Sequence, residues 1–209
     1  LTQPAVVNTA LDWARAHQVK VIFDAGDVQA NGFQLAEDET PGEIYNESGA
    51  SYMGFAVSSL LATGIADKPF YALALTGDGS LTMNPQILID GVQHGAQGCI
   101  LLLDNRRMSA ITGLQLDQYG HEVATNDSVE VDYVAWAKSI KGGNALHAGY
   151  SLEELKIALE SAFEHKGLSL IHVPVYCGDH EMGGVGVYGR WNVSNWSKRV
   201  QALRHEIGL

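Results

Sequence analysis

Two hundred and nine residues, 46% of them hydrophobic and 18% charged, describe one sizeable globular domain. Thirteen Lys and Arg against 24 Asp and Glu leave a formal charge of -11, which repels nucleic-acid backbones and anionic membrane surfaces. The two cysteines, Cys99 and Cys177, are too few to staple such a chain, and no apolar run approaches the ~20 residues of a membrane span, so a cytoplasmic domain is predicted.

The chain opens on Leu1 without a basic-then-apolar leader, as expected of a processed, trimmed or excised polypeptide. A helix is predicted over 2–16, with Thr2 as N-cap and Pro4 close behind it, followed by a strand over 19–23. Residues 24–45 read as a long loop rich in Asp, Asn and Gly. Helix-period stretches then cover 49–65, 84–96, 131–140 and 151–165, the last opened by a Ser151/Glu154 capping box. Between them, 70–75, 99–103, 144–147 and 169–176 read as buried strands. A second loop at 177–190 carries five glycines, and 194–206 reads as a closing helix with Trp196, Val200 and Leu203 on one side. Strict alternation of strand and helix predicts an α/β fold, a largely parallel sheet with helices on both faces. Residues 1–176 form its body, and 177–209 a flap and helix of the same domain.

Open parallel sheets bind ligands beyond the carboxyl ends of their strands, so the residues that follow each strand matter most. The first strand is followed by Asp24, Ala25, Gly26 and Asp27, the second by Thr76, Gly77, Asp78, Gly79 and Ser80, and the third by Asp104, Asn105, Arg106 and Arg107. Gly77 and Gly79 let the backbone approach a ligand, and a helix start nearby favours an anion. Asp78 sits where a phosphate would arrive, and a divalent cation between the two resolves the clash. Mg²⁺ suits the place, since it is held by one or two protein oxygens plus phosphate and water, and Asn105 offers a second oxygen. Taken alone, Gly-Asp-Gly is an ordinary turn.

The whole pattern resembles the thiamine diphosphate enzymes. A strand, Gly77 to Ser80, a helix, a further strand and Asn105, with 25 residues between Gly79 and Asn105, reproduce that family's signature. GDGSLTMNPQ (77–86) is similar to the acetolactate synthase and 2-oxo acid decarboxylase branch, and SGASYMG (48–54) to the segment bearing its hydrophobic wedge. ESGASYMGF (47–55), DNRRMSAITGL (104–114) and RWNV (190–193) lean toward trihydroxycyclohexanedione hydrolases. Ile87 departs from the Glu usual in the decarboxylase branch, and the Arg106/Arg107 pair is unusual.

This resemblance implies a thiamin diphosphate-binding fold and a set of roles. Asp78, Asn105 and the backbone carbonyl of Arg107 would hold Mg²⁺. Backbone groups of Gly26, Asp27 and Val28, of Gly77, Gly79 and Ser80, and of Met108 and Ser109 would hold the diphosphate. Met53, 25 residues before Asp78, would prop the cofactor in its bent form, and the Ser51 carbonyl would accept a hydrogen bond from its pyrimidine amine. Without that spacing Met53 reads as a core methionine. The cofactor supplies the ylid and electron sink, the protein geometry and low polarity. The family's activating glutamate comes from a pyrimidine-binding domain absent from these residues. Glu47 reads as a loop or capping carboxylate, so a second subunit is expected to bring the glutamate in a hetero-oligomer, a dimer of heterodimers or larger. The alternative is that the chain is a fragment of a longer enzyme, and either way it is expected to be inactive alone.

The expected reaction cleaves or forms a carbon–carbon bond beside a carbonyl in a small 2-oxo acid or diketone. ITGLQ (111–115) is also similar to β subunits of 2-oxo acid oxidoreductases, although two distant cysteines build no iron–sulfur cluster. A non-catalytic cofactor-binding partner is the remaining alternative. Arg106 or Arg107 could pair with a substrate carboxylate or stay a solvated loop charge. His121 and His180 lie in loops able to cover the site and could carry protons, whereas His94 reads as structural. GVGVYG (184–189) spells a dinucleotide motif without a following strand, Cys177 and His180 with His172 nearby lack a fourth metal ligand, and Ser51 is in no nucleophile elbow.

Overall fold

A computed structural model describes residues 1–125 and 129–175. The 177–190 loop, the 194–206 helix, Cys177 and His180 lie outside the described residues. Six parallel strands form one sheet in the order β2-β1-β3-β4-β6-β5. In chain order they are β1 (Lys20–Phe23), β2 (Ile44–Asn46), β3 (Ala72–Gly77), β4 (Gly98–Asp104), β5 (Asn144–His147) and β6 (Leu168–Pro174).

Side chains alternate across this sheet and so divide the core in two. Phe23, Leu73, Leu75, Leu101 and Leu103 pack under α1 (Gln3–Ala16), α2 (Asp27–Leu35) and α9 (Leu152–His165). Ile22, Ala72, Ala74, Ile100 and Leu102 face the other way, toward α3 (Phe55–Ser59), α4 (Leu61–Ile65), α6 (Ile87–Gln93) and α8 (Tyr133–Lys138). The central strands are buried on both faces, which explains their unbroken apolar runs.

The two longest helices carry their own start signals. Thr2 Oγ1 accepts the Ala5 N–H at 3.3 Å, and Pro stands in the first turn of α1. At α9, Ser151 Oγ accepts the Glu154 N–H at 3.2 Å while Glu154 reaches back to the Ser151 N–H at 3.1 Å.

Four segments differ from the sequence-based expectation. The predicted loop over 24–45 contains α2 and the edge strand β2. Gly32 is the reason α2 fits there, because a Cβ at that position would meet the Phe23 ring at 2.6 Å. The predicted helix over 49–65 starts only after Gly54, whose φ of 91° is left-handed, and splits into α3 and α4. Residues before Gly54 stay out of the helix because Glu47 holds their backbone in a bend: Oε1 accepts from the Gly49 and Ala50 N–H groups at 2.7 and 2.9 Å. Finally, α5 (Asp78–Leu81) and α7 (Ser109–Tyr119) are helices that periodicity did not reveal.

Candidate cofactor site

The chain leaves β1 for the edge strand β2 and then returns to the other side of β1 for β3. Strand order therefore reverses between β1 and β3, where an α/β sheet opens a crevice at its carboxyl edge. A cavity of about 190 Å³ lies there. The turn after β1 contributes Gly26, Asp27 and Val28, the turn after β3 contributes Gly77, Asp78, Gly79 and Ser80, and the turn after β4 contributes Asn105, Arg107, Met108 and Ser109. Ser51 and Met53 line it from the segment before α3. Three helices, α2, α5 and α7, begin at this rim, so their free N–H groups and positive dipole ends gather at one place.

Asp78 is 4% exposed, and its Oδ1 accepts the Gly79 N–H at 3.0 Å. The Asn105 Oδ1 accepts the Arg107 N–H at 3.0 Å, and its amide donates to Ser109 Oγ at 2.6 Å, which fixes the β4–α7 turn. A carboxylate, an amide oxygen and a backbone carbonyl on one cavity wall are hard oxygen donors of the kind Mg²⁺ takes, with room for phosphate oxygens and water. Gly79 forms a cradle: a Cβ there would sit 2.8 Å from the Met108 sulfur and 3.1 Å from the Met53 methyl. Any side chain at this position would close the space between the two thioethers, so the residues present fit both a metal and an anionic group lying against bare backbone.

Asp24 organises the rim from beneath, a role its position in the sequence did not reveal. It is fully buried at the end of β1, where Oδ1 accepts the N–H groups of Gly54 at 2.8 Å and Ala25 at 2.9 Å and Oδ2 accepts the Thr76 hydroxyl at 2.8 Å. Burial raises its pKa, and those hydrogen bonds hold it back. One side chain thus ties together the β1 turn, the residue after Met53 and the residue before Gly77. Gln29 braces the same segment, accepting from the Ser51 hydroxyl at 3.3 Å and donating to the Glu47 carbonyl at 3.0 Å. Ser51 itself holds a φ of 50°. Behind β4, Asp104 meets His172 at 2.8 Å; burial opposes its ionisation, but the His172 hydrogen bond and charge keep its pKa below the ordinary value.

Of the other residues weighed from the sequence, Arg107 lines the cavity, and His121, His94 and Glu47 do not. His121 is exposed, with Nδ1 3.1 Å from the Tyr119 carbonyl, and does not line the cavity. It follows the αL residue Gly120 that ends α7. The Arg107 guanidinium stands 3.7 Å from the Glu122 carboxylate. His94 caps the C-terminal end of α6 on the surface. The Glu47 carboxylate accepts from Gly49, Ala50 and Tyr52, contacts that lower its pKa, and it is not part of the cavity lining. Among the described residues no helix is long and apolar enough to cross a membrane.

Such a rim, with a Gly-flanked carboxylate after one strand and an amide after the next, offers donors for an anionic group and a hard cation at the edge of a parallel sheet. The pattern described as "Thiamine pyrophosphate enzyme, C-terminal TPP binding domain" matches residues 24–173, and the chain belongs to that family. A 3D-(3,5/4)-trihydroxycyclohexane-1,2-dione hydrolase of Bacillus licheniformis is 32% identical over 161 residues, covering 74% of this chain and 25% of the relative. An acetolactate synthase large subunit of Haemophilus influenzae is 27% identical over 168 residues, 78% of this chain and 28% of the relative. The chain thus spans 22–29% of the length of the curated relatives it matches. A crystal structure of benzoylformate decarboxylase from Polynucleobacter necessarius superposes with a TM-score of 0.74 at 21% identity, over 87% of this chain and 34% of that one, and shares the fold.

Proposed function

We propose that this chain is the diphosphate-binding part of a thiamine diphosphate- and Mg²⁺-dependent enzyme that cleaves or forms a carbon–carbon bond next to a carbonyl. Substrates are small 2-oxo acids or diketones. The observation that carries this reading is the meeting of Asp78, Asn105, Gly79 and Met53 at one cavity from the ends of two neighbouring strands and the segment before α3. Asp78, Asn105 and the Arg107 carbonyl hold the metal. Backbone N–H groups at the starts of α2, α5 and α7 receive the diphosphate, because each terminus presents donors without helical partners. When bound, the cofactor supplies a nucleophilic carbon and an electron sink.

Met53 lies across the Gly79 cradle from Met108 and keeps the cavity floor apolar and shaped. The positive φ at Ser51 and the Asp24 bond to the Gly54 N–H fix the backbone on both sides of Met53, so the wedge and the Ser51 carbonyl are pre-positioned. A pyrimidine-binding domain on a second polypeptide supplies the activating glutamate in a hetero-oligomer. The orientation of Glu47 onto its own loop supports that assignment.

Native mass spectrometry of the untagged protein from its source cells, with Mg²⁺ and thiamine diphosphate present, tests the proposal. A hetero-oligomer carrying one cofactor per site is expected. An assembly of this chain alone, with no cofactor mass, would overturn it, and a single longer polypeptide carrying the cofactor would place the pyrimidine domain on the same chain.

A further inference from the structure

Asp27 is an anomaly in a site meant for an anion. It is the first residue of α2, it lines the cavity beside Gly26 and Val28, and its Oδ1 is buried without a hydrogen-bond partner among the described residues. We propose that Asp27 binds the cofactor as a neutral carboxyl, donating its O–H to a diphosphate oxygen, so that cofactor binding takes up one proton from solvent at this side chain. The inference rests on the thiamine diphosphate reading and assigns a role to a side chain where that reading uses only backbone.

The helix start attracts one negative group, and two like charges in hydrogen-bond contact cannot both stay ionised. A protonated carboxyl gains a donor, whereas a carboxylate has only acceptors and would face phosphate oxygens that also only accept. Burial already pushes the Asp27 pKa up to about 6, so the proton is acquired at little cost near neutrality.

The elements packed on α2 are α1, β1 and β3. From α1 only the uncharged Gln3 reaches the cavity, while Arg15 lies against Asp12 and Glu37. β1 contributes Asp24, held by Thr76, Ala25 and Gly54, and Lys20, whose ammonium donates to the Gly42 carbonyl. Beyond β3 stands Asp78, and across the cavity Arg107 lies near Glu122. Among the described residues lining the cavity, Arg107 is the sole cation, and it stands beside Glu122.

Isothermal titration of thiamine diphosphate with Mg²⁺ into the protein in its native assembly, wild type against Asp27→Asn, tests the inference between about pH 5.5 and pH 8.5. The asparagine is isosteric and keeps a donor at every pH, and circular dichroism verifies its fold. Titration of the cofactor's own phosphate is common to both proteins and cancels in their ratio. Expected affinities agree within about threefold near pH 5.5, and the variant then gains about tenfold per pH unit above pH 6, to about a hundredfold at pH 8. Repeating the titration in buffers of different ionisation heat should show the wild type taking up close to one proton more than the variant at pH 8. A variant that binds more weakly than wild type at pH 8, or a constant ratio with equal proton uptake, would show an ionised Asp27 and overturn the inference. A folded wild type that binds no thiamine diphosphate would instead overturn the cofactor reading itself, and this inference with it.

Discussion

The two faces of the sheet are built to different rules. Under one face, α1 and α9 are 14-residue helices with side-chain caps and a full apolar stripe, and they close over Leu73, Leu101 and Ile171. On the other, α3, α4, α5 and α6 run for 5, 5, 4 and 7 residues and have no side-chain cap bond, and only the six-residue α8 is capped there, by Asp132. Short helices are marginal on their own, so their packing and the loops between them decide where they stand. The difference separates two jobs: the capped face stabilises the domain, and the interrupted face frees backbone at Ser51, Gly54 and Gly79 for a ligand.

Substitutions on the two faces should therefore fail in different ways. Asp78→Ala is expected to cost at least about a hundredfold in turnover of the assembled complex while the fold survives, because on the proposed reading it removes a metal ligand rather than packing. Steady-state rates at saturating Mg²⁺ and cofactor check it, and surviving turnover would remove Asp78 from the metal site. Leu155→Ala in α9 is the opposite case: about 2–5 kcal/mol of stability lost in urea unfolding, with turnover per folded molecule retained. Met53→Ala should lower kcat by about tenfold or more with little change in cofactor affinity, since it supports a geometry rather than a charge. Equal losses in both would make it an ordinary packing residue. Ser151→Ala, which breaks the α9 capping box, should cost about 1 kcal/mol and leave the site untouched.

A further difference depends on acidity. Asp27 in the folded chain has a pKa of about 6 against an ordinary 3.8, so the native state holds that proton more tightly than the unfolded chain. Its contribution to stability is greatest below about pH 4 and is lost as the pH rises through about 6. Thermal unfolding of cofactor-free Asp27→Asn should match wild type near pH 4 and melt higher above pH 6. A parallel offset at all pH values would contradict the burial of this carboxyl.

What the sequence disclosed follows the same division. The capping box at Ser151 and Glu154 and the apolar runs of β3 and β4 are local signals, and the Gly77 to Ser80 turn with Asn105 is a pattern of spacing, so both could be read. The α2 helix was hidden because Asn31 and Gly32 look like turn residues, and only the Phe23 ring above Gly32 explains the glycine. α7 lacked an amphipathic stripe, with Ile111 and Leu116 both exposed. The Asp24 clamp depends on residues 30 and 52 positions away, Gly54 and Thr76, which no window of sequence joins. β2 is three residues long with one neighbouring strand, too short for an alternation to register.

The ladder register carries one last consequence, for insertions and deletions. Phe23 pairs with Leu75, Leu75 with Leu101 and Gly77 with Leu103, so the turns that hold Asp78 and Asn105 are levelled by neighbouring strands acting as a common ruler. One added residue inside β3 would move Asp78 by about 3.3 Å along the strand and invert the facing of every side chain beyond it. The same residue added near Pro41 would only lengthen an exposed bend between α2 and β2. Length variation in descendants of this chain should thus gather in that bend and leave the strands leading to the site uniform.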